Sequence, residues 1–148
     1  MTQLASERAT SEGGKVVFTA KTHATGGREN GASRGADGRL DVKLSPRGSA
    51  LIETNPEQLF AAGWAACFES ALGLAARERR ITPPADLAID AEVDLHLADG
   101  EYFIGARLNV SPPGVDREIA KTLVQEAHEI RPYSKATRAN VKVEINLV

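Results

Sequence analysis

The sequence predicts an α+β fold. Segments of alternating polarity lie on both sides of one long apolar helix, a tight turn joins two of them, and the elements run β-β-α-β-β-α-β. Lys15 to His23 alternates as a first strand, and Gly26-Gly27 and the stretch from Gly35 to Gly38 punctuate a long loop carrying Arg28 and Glu29. Loops of that length in a small domain are usually functional or disordered. Arg39 to Leu44 is the second strand.

A helix is expected to begin at Asn55-Pro56. Asn is a good N-cap, Pro suits the first helical position, and Gln58 is placed to complete a capping box. The helix runs to Arg80, before Thr82-Pro83-Pro84, with Arg77, Arg79 and Arg80 complementing its dipole. Between Leu59 and Ala76 almost every face is apolar or small, so the helix must be covered on several sides. A partner subunit is the simplest cover, and two-fold dimers are the commonest assemblies.

Leu87 to Leu97 alternates as a half-buried strand, Ala98-Asp99-Gly100 turns the chain, and Tyr102 to Val110 returns. Asp116 caps a second helix with an apolar stripe of Ile119, Leu123, Val124, Ala127 and Ile130, ended by Pro132. Ser134 to Ala139 is read as one helical turn and Val141 to Val148 as a last strand. Residues 1–14 form a polar, flexible leader and 15–148 a single domain, with no internal repeat.

Composition excludes several functions. The 148 residues suffice for one compact core, and 42% hydrophobic content agrees. Eighteen basic and twenty acidic side chains nearly cancel, so no basic field attracts nucleic acid or an anionic membrane. The N-terminus lacks the pattern of a signal peptide, which points to a reducing cytoplasm. The run from Leu59 to Ala76 approaches membrane-spanning length, but Glu69, Ser70 and its Ala and Gly content argue against a span. His23, His96 and His128 lack metal-ligand spacing, and Gly26-Gly27 lacks the spacing and lysine of a phosphate loop, so neither a metal nor a nucleotide cofactor is expected.

The chain's one cysteine, Cys67, lies in its most apolar stretch. It has no disulfide partner and no zinc-ligand companions, which leaves an inert core sulfur or a reactive one. On a helical wheel Phe60, Gly63, Trp64, Cys67, Ala71 and Leu74 share a stripe, as core residues would. Reactivity needs a cation that favours the thiolate. Arg28 is a candidate cation, and Glu57, in the first turn of the same helix, is a carboxylate suited to hold its guanidinium.

Thr25-Gly-Gly-Arg28, Asp41-Val-Lys-Leu44, the stretch Thr54-Asn-Pro-Glu-Gln-Leu-Phe-Ala-Ala-Gly-Trp-Ala-Ala-Cys-Phe68 and Pro132-Tyr-Ser-Lys-Ala-Thr-Arg-Ala-Asn140 resemble the organic hydroperoxide resistance (Ohr) branch of the OsmC/Ohr family. The resemblance covers nearly everything from Val16 to Val148, and its longest segment is its most specific. It implies an intertwined homodimer with antiparallel sheets wrapped around long central helices and an active site at the subunit interface. It also implies thiol-dependent reduction of alkyl or fatty-acid hydroperoxides. By matching motifs, Cys67 takes the peroxidatic position, Arg28 that of the arginine that stabilises thiolate and peroxide, and Glu57 that of its carboxylate partner. Phe60, Trp64, Phe68 and Tyr133 lie near the motif as lining for an apolar substrate channel.

The family pattern has a resolving cysteine directly before Pro-Tyr-Ser, where this chain has Arg131. No intramolecular disulfide can form, so a sulfenic acid at Cys67 must meet an external thiol or a dihydrolipoyl-type reductant, or risk further oxidation. If the family backbone is kept, the base of Arg131 lies near Cys67, with its head beside the sulfur or in solvent. Two rival readings stand beside the one-cysteine peroxidase. One is a non-catalytic protein binding an apolar ligand on the same fold; the other is a redox sensor that forms a mixed disulfide with a partner protein.

Overall fold

The computed structural model describes residues 14–130 and 132–148, together with Thr2 and Leu4. The elements run β1 (Thr22–Thr25), α1 (Gly27–Asn30), β2 (Ala32–Gly35), β3 (Asp41–Lys43), α2 (Pro56–Glu78), β4 (Ala88–Ala98), β5 (Glu101–Ser111), α3 (Arg117–Ile130), α4 (Pro132–Thr137) and β6 (Lys142–Leu147). They make two three-stranded sheets, β1-β2-β3 and β4-β5-β6. The first sheet is antiparallel; in the second, β5 pairs antiparallel with β4 and parallel with β6.

Helix α2 starts as its capping residues dictate. The Asn55 side chain accepts a hydrogen bond from the Gln58 backbone N–H at 2.8 Å, with Pro56 in the first turn. The expected capping box is corrected in one half, because the Gln58 amide oxygen accepts from the Thr54 hydroxyl and does not reach back to Asn55. The helix closes at Glu78, two residues before the expected end, with Arg80 in the left-handed region at φ 59°. There the Arg80 N–H bonds Arg77 O and the Ile81 N–H bonds Ala76 O, a Schellman ending on a residue other than glycine.

The core lies between α2, the second sheet and α3. Trp64, Phe68, Ala71, Leu72, Ala75 and Ala76 of α2 pack with Ala106, Leu108 and Val110 of β5 and with Leu123 and Ala127 of α3. Alternation along β4 and β5 supplies this face, and their hairpin closes on two left-handed residues, Asp99 and Gly100, as a two-residue turn requires. Asp116 caps α3 as expected, accepting from the N–H groups of Glu118 and Ile119 at 3.0 and 3.2 Å. The buried stripe of α3 is shifted from the expected one. Ala120, Leu123 and Ala127 are buried, whereas Ile119 and Ile130 stand at its edges, 41% and 44% exposed.

Helix α2 is the one helix among the described residues long and apolar enough to cross a membrane, and it is a core helix carrying Trp64 and Phe68 against the sheet. Within the single chain it is not covered all round, since Ala62, Ala66, Glu69, Ser70 and Leu74 are exposed.

The N-terminal half departs most from expectation. Strand pairing begins at Thr22, not Lys15, and residues 14–21 lie in no strand. The alternation that predicted a strand there comes from Val16, Val17 and Phe18, which are 76%, 90% and 81% exposed. Their apolar faces meet no cover among the described residues. The loop expected from Gly26 to Gly38 holds α1 and a further strand, β2, whose Ala-Ser-Arg-Gly sequence has no apolar alternation to reveal it. The second expected strand contracts to β3 and is prolonged by a parallel bridge between Leu44 and Thr54. Of the leader at residues 1–14, all but Thr2, Leu4 and Gly14 lies outside the described residues.

Candidate active site

Arg28 is aimed by its two preceding glycines. Gly26 and Gly27 have φ of 73° and 68°, and two successive left-handed positions turn the chain into α1 at little cost only for residues without a Cβ. From α1 the Arg28 side chain crosses to the start of α2. Its Nη2 donates to both carboxylate oxygens of Glu57, each at 2.7 Å. The Arg28 side chain is 35% exposed and that of Glu57 15%, so this is a partly sheltered pair. Burial is the largest single influence on Glu57 and pushes its carboxyl up. The Arg28 hydrogen bond, a backbone hydrogen bond and the charges of Arg28 and Arg47 together outweigh it and hold the group below its ordinary value. The hydrogen bond to Glu57 correspondingly raises Arg28.

Cys67 lies further along α2 as a half-buried free thiol. At about 100° per residue, Glu57, Phe60, Trp64, Cys67 and Ala71 fall within roughly 80° of one another on one helical face. Along the axis, however, ten residues separate Glu57 from Cys67, about 15 Å. The structure thus joins Arg28 to Glu57 and leaves the thiol of the same chain nearly three turns away.

An aromatic cluster occupies the face between them. Phe60 meets Trp64 and Tyr133 edge-on at centroid distances of 5.5 and 5.7 Å, and Trp64 stacks on Tyr133 at 6.2 Å. Tyr133 comes from α4 and seats its hydroxyl over Gly63, where an added Cβ would lie 2.6 Å from that oxygen. A glycine inside a helix is unfavourable, and here close approach of a side chain explains it. Phe68, grouped with these aromatics from sequence, is fully buried and sits in the main core. The Trp64 Nε1 and Ser134 Oγ atoms are buried without a hydrogen-bond partner among the described residues. Arg131 lies outside the described residues.

Sequence reasoning missed Arg47. This loop residue stacks over Tyr102, with Cζ 5.6 Å from the ring centroid, and its charge reaches Glu57. The available signal was its place in a Pro-Arg-Gly turn shortly before the Asn55 cap, too slight to separate it from any solvated loop charge. No group of three His, Cys, Asp or Glu side chains among the described residues could hold a metal ion.

Comparison with known proteins shows what the chain is similar to. Residues 47–146 match the model of the OsmC-like protein family. The chain is 44% identical over 137 residues to an organic hydroperoxide resistance protein of Xanthomonas axonopodis pv. citri, covering 90% of this chain and 96% of that one. Against OhrB, an organic hydroperoxide resistance protein of Bacillus subtilis, identity is 46% over 137 residues, covering 89% and 98%. The OhrB crystal structure superimposes with a TM-score of 0.84 over 90% of this chain and 100% of that one. A crystal structure of an organic hydroperoxide resistance protein from Legionella pneumophila, 40% identical, gives 0.82 over 90% and 98%.

Proposed function

The chain belongs to the OsmC/Ohr family, in its Ohr branch, and from that premise we propose that it is a thiol-dependent peroxidase that reduces organic hydroperoxides to alcohols as a homodimer. The observation that carries the reading is the Arg28–Glu57 pair, a guanidinium fixed on the helical face that also bears Cys67.

Cys67 is the nucleophile. Its thiolate attacks the distal peroxide oxygen, an S–O bond forms as the O–O bond breaks, and the alkoxide leaves and takes up a proton. The thiol and hydroperoxide thereby become a sulfenic acid and an alcohol. Arg28 supplies the cation that favours the thiolate and polarises the peroxide, and Glu57 orients the guanidinium through Nη2, with Nε and Nη1 making no hydrogen bond among the described residues.

The 15 Å between Glu57 and Cys67 supports a site shared with a second copy. Two α2 helices packed antiparallel bring the Arg28–Glu57 pair of one subunit beside Cys67 of the other. Apolar surface left open in the single chain supports such a dimer: Val16, Val17 and Phe18, at 76%, 90% and 81% exposed.

With one cysteine in the chain, the sulfenic acid has no internal thiol to condense with, and by the family resemblance Arg131 takes the position of the resolving cysteine. A first external thiol forms a mixed disulfide and releases water, and a second frees Cys67; a dihydrolipoyl-type dithiol supplies both. Intact mass of the reduced protein after one equivalent of cumene hydroperoxide tests the reading. The expected result is one added oxygen, absent in Cys67→Ser and removed by dihydrolipoamide. An unchanged mass in the native protein would overturn it.

A further inference from the structure

Beside the Arg28–Glu57 pair lies an open groove of about 370 Å³, lined by Arg47, Glu57, Val93, Asp94 and Leu95 among others. Its two carboxylates are already engaged. Both oxygens of Glu57 accept from Arg28, and both oxygens of Asp94 accept from Arg107. Arg47 has no carboxylate within ion-pair distance among the described residues and donates no side-chain hydrogen bond there. Of the charged side chains that line the groove, Arg47 is thus the one without an ion-pair partner among the described residues. A cation–π contact with Tyr102, Cζ 5.6 Å from the ring centroid, holds the Arg47 side chain at the groove, and a guanidinium takes a carboxylate by paired hydrogen bonds. The groove is apolar where Val93 and Leu95 line it, and that face of β4 continues to the exposed Leu97, paired with Tyr102 of β5. A cation at the edge of an apolar strip matches an alkyl chain with an anionic end.

We propose that Arg47 is a specificity-determining residue that binds the carboxylate of an acid-bearing alkyl hydroperoxide, an oxidised fatty acid, whose hydrocarbon chain lies along Val93, Leu95 and Leu97. This rests on the peroxidase reading and deepens it by naming the end of the substrate that is recognised. An anion held by a partly exposed guanidinium is worth about a tenfold preference over the uncharged ester.

The test compares kcat/KM for linoleic acid hydroperoxide with that for its methyl ester, in the native protein, Arg47→Gln, Arg47→Lys and Arg39→Gln. Arg39 is an exposed arginine paired with Asp37, away from the groove. The acid-to-ester ratio is expected to fall about tenfold in Arg47→Gln, to be partly kept in Arg47→Lys, and to stay at the native value in Arg39→Gln. An unchanged ratio in Arg47→Gln, or equal losses on acid and ester, would overturn the proposal. If the native protein reduces neither peroxide, the peroxidase reading fails, and calorimetric binding of dodecanoate against 1-dodecanol then decides the anion site. A preference for dodecanoate that Arg47→Gln abolishes upholds it; equal binding of both, or a preference that survives the substitution, overturns it.

Discussion

The two three-stranded sheets are built on opposite terms. The β4-β5-β6 sheet places Ala106, Leu108 and Val110 in the core against α2 and α3. The β1-β2-β3 sheet has no buried residue in any strand. It reaches the rest of the chain through polar links near the start of α2: Ser45 N–H to Thr54 O at 3.2 Å, Thr54 N–H to Lys43 O at 3.0 Å, and the Arg28–Glu57 pair. Stability thus resides in one sheet, and the cation proposed for the chemistry hangs from the other. Local opening free energy scales with buried apolar contact, so the first sheet should open well before the second.

Large-to-small substitutions test this contrast most strongly. Leu108→Ala, at a position 1% exposed, is expected to cost about 2–5 kcal/mol in denaturant unfolding, from lost transfer energy and the cavity left behind. Val42→Ala in β3 is expected to cost under about 1 kcal/mol, since Val42 is only half-buried. Equal losses would mean that both sheets share one cooperative core, and the contrast would fail.

A smaller effect is expected at the contact between α4 and α2. In Gly63→Ala the new methyl group meets the Tyr133 hydroxyl at 2.6 Å, so the tyrosine must move. The expected cost is about 1–3 kcal/mol as an overpacking strain, despite alanine's better helix propensity. Trp64 is the chain's one tryptophan and stacks on Tyr133, so its fluorescence reports the displacement directly. An unaltered spectrum with unaltered stability would show that Tyr133 is loosely held there.

The same contrast explains what was legible in the sequence. Helix α2, the β4–β5 hairpin and α3 carry their own punctuation, in Asn55-Pro56, Asp99-Gly100 and Asp116, and their periodicity reflects burial inside the chain. The first strand was misplaced because the alternation of Val16 to Phe18 has no cover among the described residues. Strand β2 was missed because a four-residue strand without buried side chains leaves no apolar period. The parallel pairing of β6 with β5 is a long-range choice that local pattern cannot encode. In the site, Arg28 and Glu57 were recognisable as complementary groups at the ends of two motifs. Their level on α2 relative to Cys67 became visible only with the helix laid out in space. Arg47 was illegible, because its meaning depends on Tyr102 and Val93, which are distant in sequence.

Removing the tether without touching either sheet sharpens the contrast at lower cost. Glu57→Gln keeps shape and loses charge, and a partly exposed ion pair contributes up to about 1 kcal/mol. Hydrogen exchange is the suitable measurement. Amides of β1, β2 and β3 are expected to exchange a few-fold faster, with those of β4 and β5 unchanged. Uniform acceleration across both sheets would show that Glu57 supports the whole fold instead of the attachment of one part.

The smallest effect is the response to acid, and its sign follows from Glu57. Its folded-state value lies below the ordinary 4.5, so the pair's contribution is fully present above that value and is lost as pH falls through the lower folded one. Protection of β1 to β3 should therefore weaken only below about pH 4.5, and in Glu57→Gln this portion of the acid response should vanish. Asp94 and Glu126 are also held below their ordinary values, by hydrogen bonds from Arg107 and Arg79, so other carboxylates contribute to the acid response as well. The discriminating quantity is thus the difference in acid response between native and Glu57→Gln protein at β1 to β3 amides. Should that difference be zero, the ladder hydrogen bonds alone hold Arg28 in place and the ion pair serves only to orient its guanidinium.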